Sequence, residues 1–402
     1  MAIKAGQILH DAHGFVIDRI QTGGVSNLNI PEEKVYELGN FQTVATTRDI
    51  PDLSFEVESL DVSTEIESLL LFRNPAAAVD GTEFDFNDSV PMDIISPFKA
   101  AKNIYKVING IIVPYLTLES VTYRYGMQQN ATEQFTLRGD AVYYTPGSPR
   151  YEQYTHDGAE DTYALSHDAV IYHEAGEDVY VLAITAILPD GTYRRLFHGA
   201  DYDDTATGFT LLKPGDLPNA TILRVVYASL DDVEYPQTVH QGVNVKPAAV
   251  RGKDIDIYIG LPNGTQMERW TGVQSFEATR RVNLDNDLEF GNHHFVAQDY
   301  DTADVTGSIT VRSRDVDDLY KKIAQIANVP GEEVIGVLSS VGLPVEARVR
   351  DPETGALLKT LYIPDARFLT PNVQGRVQQK LETQFSYTSD GGNLLVYKGA
   401  RP

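Results

Sequence analysis

From Leu53 to Leu60 apolar and polar positions alternate, with Phe55 and Val57 on one face and Ser54, Glu56 and Glu58 on the other. That period of two predicts a half-buried strand. Thr43 to Thr47 precedes it across Arg48-Asp49-Ile50-Pro51-Asp52, so the two stretches read as strands around a turn. A helical period then takes over. Ile66, Leu69 and Leu70 make one apolar face on a short helix, Thr64 to Phe72, which Asp61 or Ser63 can cap and Asn74-Pro75 ends. Alternation returns in Leu116 to Tyr125 and Glu133 to Tyr144, an antiparallel pair across Gln128-Gln129-Asn130. Shorter strand-like pieces stand earlier, at Gly14 to Ile20 and Lys34 to Leu38. Near the other end, Asp317 to Ala327 predicts a second helix that Pro330 stops. Pro344 to Arg350 and Leu357 to Ile363 then flank the hairpin turn Asp351-Pro352-Glu353-Thr354-Gly355.

Much of this pattern occurs twice. At an offset of 252 (289 − 37), Glu37, Gly39, Asn40, Val44, Ala45, Asp49 and Asp52 meet Glu289, Gly291, Asn292, Val296, Ala297, Asp301 and Asp304. At 254 (308 − 54), Ser54, Val57, Ser59, Asp61 and Val62 meet Ser308, Val311, Ser313, Asp315 and Val316. The slip between the two offsets falls in the turn, where insertions cost least. A further echo at 250 (378 − 128) matches Gln128, Gln129, Gln134, Phe135 and Asp140 with Gln378, Gln379, Gln384, Phe385 and Asp390. The duplication therefore runs from about Gly24 to Tyr144 and from about Gly272 to Tyr397, each copy being strands, one helix, then more strands.

Between the copies lies a segment with no counterpart in either. It has its own strand-like stretches at Ala169 to His173, Val179 to Leu188, Thr192 to Phe197, Thr210 to Leu212 and Thr221 to Ala228, with turns at Pro189-Asp190-Gly191 and Lys213-Pro214-Gly215-Asp216. The expected organisation is a first unit over 1–148, an interposed β-domain over 149–241 and a second unit over 242–402.

Composition sharpens this. A chain of 402 residues, 42% apolar with 22 Tyr and 15 Phe, has room for two or three domains with real cores. The absence of Cys removes disulfides, thiolate metal sites and Cys nucleophiles, and fits manufacture in a reducing cytoplasm. With no signal-like or membrane-length apolar run, a soluble, unexported protein is expected. The formal charge of −24 argues against a conventional nucleic-acid binder. Acidity keeps a crowded protein soluble, and acidic walls would also keep DNA from sticking. From Arg150 to Tyr235 there are 16 acidic and 5 basic residues, so −11 of the charge belongs to the interposed segment. Such a segment is awkward at a buried interface. It is expected to project outward on two flexible connections, Pro146 to Pro149 and Tyr235 to Thr238.

Candidate chemistry is sparse. His293-His294 lack a further ligand at a defined spacing, and neighbours on a strand point to opposite faces. Asp201-Tyr202-Asp203-Asp204 and Asp299 to Asp304 resemble fragments of calcium loops without the required Gly and terminal Glu. No G-x-S-x-G, P-loop or dinucleotide glycine pattern occurs. Glu56 and Glu58 share an exposed strand face rather than forming a catalytic pair. Neither catalysis, nor a metal, nor a cofactor is expected.

The element order of the two copies, on stretches such as Glu37 to Val62 and Glu289 to Val316, resembles the tail tube proteins of tailed bacteriophages. The resemblance implies a mainly β fold, with two tandem tail-tube-like β-sandwich units, each with a flanking helix, and the small β-domain between them. It implies a structural virion protein that polymerises into stacked rings, the conduit for genome delivery. Most such proteins carry one unit and form hexameric rings. Two units per chain imply a homotrimer imitating a hexamer. The implied partners are further copies of itself, tape measure, tail terminator and baseplate or tip proteins, and a sheath protein if the tail contracts. Double-stranded DNA would pass without specific binding. Its place would be the virion tail, assembled in the host cytoplasm. In that reading Glu56, Glu58, Thr310 and Arg312 face the lumen, opposite Phe55, Val57, Ile309 and Val311. Asp49, Ile50, Pro51 and Asp52, with Asp299, Tyr300, Asp301 and Asp304, lie in loops that stack ring on ring. The competing readings are a two-domain binding module, such as a capsid decoration or adhesion protein, and a glycan hydrolase.

Overall fold

The computed structural model describes residues 11–17, 20–36, 43–48, 50–60, 62–72, 77–100, 103–158, 161–174, 177–231, 249–260, 267–289, 294–312, 342–369, 372–374, 382–389 and 391–402. The fold is mainly β and is organised by one sheet that runs through both copies. The first unit contributes β1 (Ile20–Asn29), β2 (Asp52–Ser59), β3 (Asn103–Gly126) and β4 (Thr132–Gly139). The second contributes β5 (Val273–Asp287), β6 (Ala297–Arg312), β7 (Asn372–Gln374) and β8 (Glu382–Ser389). Hydrogen bonding runs β1-β2-β4-β3-β5-β6-β8-β7, antiparallel throughout. Each unit supplies four strands in the same order, and the quartets join where Ser120 to Gly126 of β3 pair with Ser275 to Arg281 of β5.

The alternation read from the sequence is the reason for this sheet. Phe55, Val57, Ile309 and Val311 are buried in a core shared by both units, together with Tyr123, Phe135, Phe276 and Phe385. Over that core lies a second layer. In the first unit it consists of Phe15–Val16, Asp11–Ala12, Met92–Ala100, the opening half of β3 and Tyr143–Thr145. In the second unit Met267–Arg269, Ile255–Gly260, Leu343–Arg350, Leu357–Phe368 and Leu395–Lys398 repeat that order. Glu83–Asp85 of the first unit extends the second unit's layer by pairing with Leu395–Lys398.

Strand register corrects the alignment of the copies. Val57 lies opposite Phe135, and Ile309 lies opposite Phe385. Since Phe385 corresponds to Phe135 at 250 (385 − 135), the strand pair keeps an offset of 252 (309 − 57), and the change of offset comes after it. Serines and valines also match at 254 because a shift of two residues leaves every side chain on its own face, so alternation alone does not detect it.

The early hairpins also differ from expectation. Thr43–Arg48 pairs with Glu32–Tyr36, and β2 pairs with β1, so the stretches on either side of Arg48 to Asp52 pair with different strands rather than with each other. Pro51 has no N–H to give a ladder, which accounts for a break there. In the second copy β5 and β6 are each one continuous strand and pair as far as Asp287–Ala297, with register shifts at Val273/Ser275 and Val282/Leu284. The first helix spans Glu65–Leu70, and Thr64 stands at its N-cap, making no side-chain cap bond, in place of Ser63. Besides Ile66, Leu69 and Leu70, it buries Glu67 and Ser68. Asp61, Asn74-Pro75, the Asp317 to Ala327 helix, Pro330 and Tyr235 to Thr238 lie outside the described residues.

The interposed segment is a sandwich of a four-stranded sheet (Ser148–His156, Thr221–Ser229, Val181–Ile187, Tyr193–Leu196) and a three-stranded one (Thr162–Ala164, Gly208–Leu211, Tyr202–Thr205). Between the sheets lies its own core, including Tyr163, Val181, Phe209, Val225 and Tyr227. The other face of the four-stranded sheet presents Leu182, Ala183, Val226 and Ala228 to Ile95 and Ile112 of the first unit. Val181–Ile187 is buried at every position for that reason. The inbound connection is not a flexible tether. Thr145 ends one strand and Ser148 begins the next, and Gly147 packs so tightly that a Cβ there would lie 2.2 Å from the Ser229 carbonyl oxygen.

Candidate assembly surface

The sheet has one face in the core and one face of polar side chains. On the latter, contacts cross the seam between the copies. Arg124 Nε lies 3.1 Å from Glu277 Oε1, Arg281 Nη2 lies 3.5 Å from Glu119 Oε1, and the Thr122 and Thr279 hydroxyls are 3.0 Å apart. Arg138 grips Asp52 through two bonds of 2.7 and 2.8 Å, and Thr22 donates to Glu58 at 3.1 Å. The Asp52 bond also raises the Arg138 guanidinium pKa. Exposed ion pairs of this kind contribute little. The seam is held by its ladder and by Tyr125 stacked on Phe276, 6.0 Å between ring centroids.

Deeper ties hold the copies together. Lys359, from the second unit, is fully buried and donates to Glu67 Oε1 at 2.6 Å and to Glu133 Oε2 at 2.7 Å, both in the first unit. Tyr123 donates to the same Glu67 oxygen at 2.8 Å, and Tyr125 to Glu133 at 3.3 Å. Burial alone would lower the Lys359 pKa, but Glu133 and Glu67 raise it above its ordinary value. Burial, then the two glutamates, push the Tyr123 and Tyr125 hydroxyls well up.

The interposed domain is fastened the same way. Arg224, fully buried, lies 3.4 Å from Asp93 and over the Phe72 ring. Arg195 Nη1 is 2.7 Å from Asp140 Oδ2, which also accepts from the Phe295 amide at 2.7 Å. His294 stands 3.4 Å from the same oxygen, and His293 lies outside the described residues. Burial would raise the Asp140 pKa, but Arg195 and His294 hold it well below the usual range. Two of the acidic segment's few cations thus face acids of the first unit.

Glu56, Glu58, Thr310 and Arg312 are half-buried and stand on the polar face, opposite their buried neighbours. Ile50 and Pro51 immediately precede β2, and Asp52, its first residue, is committed to Arg138. Asp49 lies outside the described residues. Asp299, Tyr300, Asp301 and Asp304 belong to β6 itself, not to a loop. The three aspartates are exposed, while the Tyr300 hydroxyl lies 2.6 Å from Ser89 Oγ.

No family model and no curated protein matches the chain. Among solved structures, it is similar to a chain of the tail of an empty GTA particle, computed with helical refinement in C6 symmetry. The identity is 15% and the TM-score 0.23, over 35% of this chain and 94% of that one.

Lys359, Glu67, Glu133, Asp140, Arg195 and Arg224 were missed by sequence reasoning. Each finds its partner in a segment distant in sequence, so no local spacing announces the pair. Local signals of burial were present for Glu67, beside Ile66 and below Leu70, and for Lys359 and Arg224, which interrupt the largely apolar runs Leu357 to Leu361 and Ile222 to Val226.

Proposed function

We propose that the chain is a structural virion protein of the phage tail, whose copies form trimeric rings of six units that stack into the tail tube. The supporting observation is the β3–β5 seam. One unit already docks on its own duplicate by strand pairing, and this leaves β1 and β7 each with one described neighbour, at opposite ends of the sheet. Repeating the seam between chains would pair β7 of one copy with β1 of the next. A head-to-tail contact of this kind closes into a ring when its rotation fits. The polar face, with Glu56, Glu58, Thr310 and Arg312, would line the lumen. Its cations are largely paired with carboxylates, which leaves a surface suited to passing DNA without holding it.

Light scattering and negative-stain imaging of the purified chain test this reading. A mass of three chains, with rings or tubes, is expected. Monodisperse monomers would favour the decoration or adhesion module. The hairpin arms are assigned to ring stacking, with Asp299, Asp301 and Asp304 on the contact. Asp299→Lys together with Asp301→Lys is expected to leave rings and abolish tubes.

A further inference from the structure

We propose that His198, Asp203 and Asp204 form a zinc site on the open edge of the interposed domain's three-stranded sheet. Among the described residues, Tyr202–Thr205 pairs as a strand with Gly208–Leu211 along one side only. Along the other runs His198, joined to Tyr202 by an isolated parallel bridge, with the imidazole edge-on to the Tyr202 ring at 5.7 Å. This places a ring nitrogen beside two consecutive carboxylates that lie on the open edge. His198 Nε2 is 3.7 Å from Asp203 Oδ1 and 3.4 Å from Asp204 Oδ1, and the three ligand atoms lie within 4.8 Å of one another.

These separations are those of ligands around an ion. A charge-assisted bond from imidazole to carboxylate closes to about 2.8 Å. Two atoms each about 2.1 Å from one zinc ion, at a tetrahedral angle, stand about 3.4 Å apart.

Asp204 adds an independent observation. Its side chain is fully buried and its Oδ2 accepts from the Tyr180 and Val181 amides at 3.1 and 2.7 Å, so the carboxylate is fixed. Its Oδ1 is also buried yet accepts no hydrogen bond, and it points at His198. Asp203 is 70% exposed on its side chain, and its Oδ1 is held by the Asp204 amide at 2.9 Å, leaving the solvent side for a water ligand. Asp201 is already spent on Arg194 at 2.6 Å and the Phe197 amide at 3.0 Å. One imidazole and two carboxylates suit zinc better than calcium, which takes six or more oxygens. Two carboxylates and a neutral imidazole also balance a dication. The ion would staple the turn after Tyr193–Leu196 to the strand that follows it. The site is independent of the tail-tube reading.

Titration calorimetry of tag-free, full-length protein with zinc chloride, alongside thermal melts, tests the proposal. One zinc per chain is expected, with a Tm that rises with zinc concentration. His198→Gln and Asp203→Asn should each weaken binding by at least about tenfold. Asp203→Asn should leave the metal-free Tm unchanged, because that side chain is exposed. His173→Gln, which alters an exposed His–Asp pair elsewhere in the domain, should leave zinc uptake as it was. Absence of zinc uptake, equal uptake by His198→Gln and Asp203→Asn, or calcium binding as tight as zinc binding would each overturn the assignment.

Discussion

Arg195 Nη1 lies 2.7 Å from Asp140 Oδ2 with both side chains buried, and through this contact all three parts of the chain meet. Asp140 belongs to the first unit, Arg195 to the interposed domain, and the amide of Phe295, in the second unit, donates to the same carboxylate. Removing one member of a buried pair strands the other. Arg195→Met is therefore expected to lower stability by about 3–5 kcal/mol. Adding Asp140→Asn should recover part of that loss. Urea midpoints of the two variants check it, and equal midpoints would show that Asp140 is not stranded.

Lys359 is the counterpart at the seam, one cation facing two buried carboxylates. Lys359→Met should cost about 3–5 kcal/mol or more, and adding Glu67→Gln and Glu133→Gln should restore part of it. The Lys359 pKa is raised on folding, so its stabilisation is fully present below the ordinary value of 10.5 and is lost as pH rises through the folded value. Wild-type protein should then lose stability above about pH 10.5 more steeply than the triple variant, in which the buried Tyr123 and Tyr125 still contribute an alkaline loss of their own.

His13 governs the acid side. Its pKa is lowered well below the ordinary 6.5, first by burial and then by the Arg224 charge. The folded protein keeps it neutral while the unfolded chain protonates, so stability is fully present above about 6.5 and falls as pH drops toward the folded value. The slope in that window is about 1.4 kcal/mol per pH unit. His13→Asn should remove that slope. Asn is chosen because His13 has a φ of 54°, which Asn tolerates. Chemical denaturation between pH 7.5 and 5 measures the difference, and unchanged slopes would rule His13 out.

The proposed ring contact can be caught covalently. Thr122 stands opposite Thr279 at the seam. At the offsets fixed by register, the equivalent residues are Asn372 (122 + 250) and Asn27 (279 − 252). The chain has no cysteine to interfere. Oxidised Asn27→Cys/Asn372→Cys protein should run as a covalent trimer on a denaturing gel, while either single variant stays monomeric. A double variant that never cross-links would mean that β1 and β7 do not meet.

Packing also decides one glycine. A Cβ on Gly307 would lie 2.2 Å from the Glu277 carbonyl oxygen and 2.3 Å from the Tyr387 hydroxyl, which itself donates to that carbonyl at 2.8 Å. Gly307→Ala should force β5 and β8 away from β6 and lower the unfolding midpoint. Pairing it with Tyr387→Phe should relieve only the hydroxyl clash, a partial recovery that the same denaturation series reads.

Alternation along β2 and β6 assigned Phe55, Val57, Ile309 and Val311 to the core without any coordinates, because a strand buried on one face forces period two. The duplication was likewise visible, as was the Asp351 turn, where the carboxylate accepts from the Glu353 amide at 2.8 Å and Gly355 takes a φ of 71°. These are local signals, readable over a few residues.

What lay beyond the sequence were relations between distant residues. Period two is blind to a shift of two, so only the facing of Val57 with Phe135 and of Ile309 with Phe385 set the register of the copies. The acidic composition of the interposed domain suggested isolation, yet its Arg195 and Arg224 reach carboxylates of the first unit that lie far away in sequence. The sequence by itself determined which faces are apolar, because burial is selected residue by residue. Tertiary structure alone decided which edges meet and which charges pair, because both depend on the packing of segments that no local pattern connects.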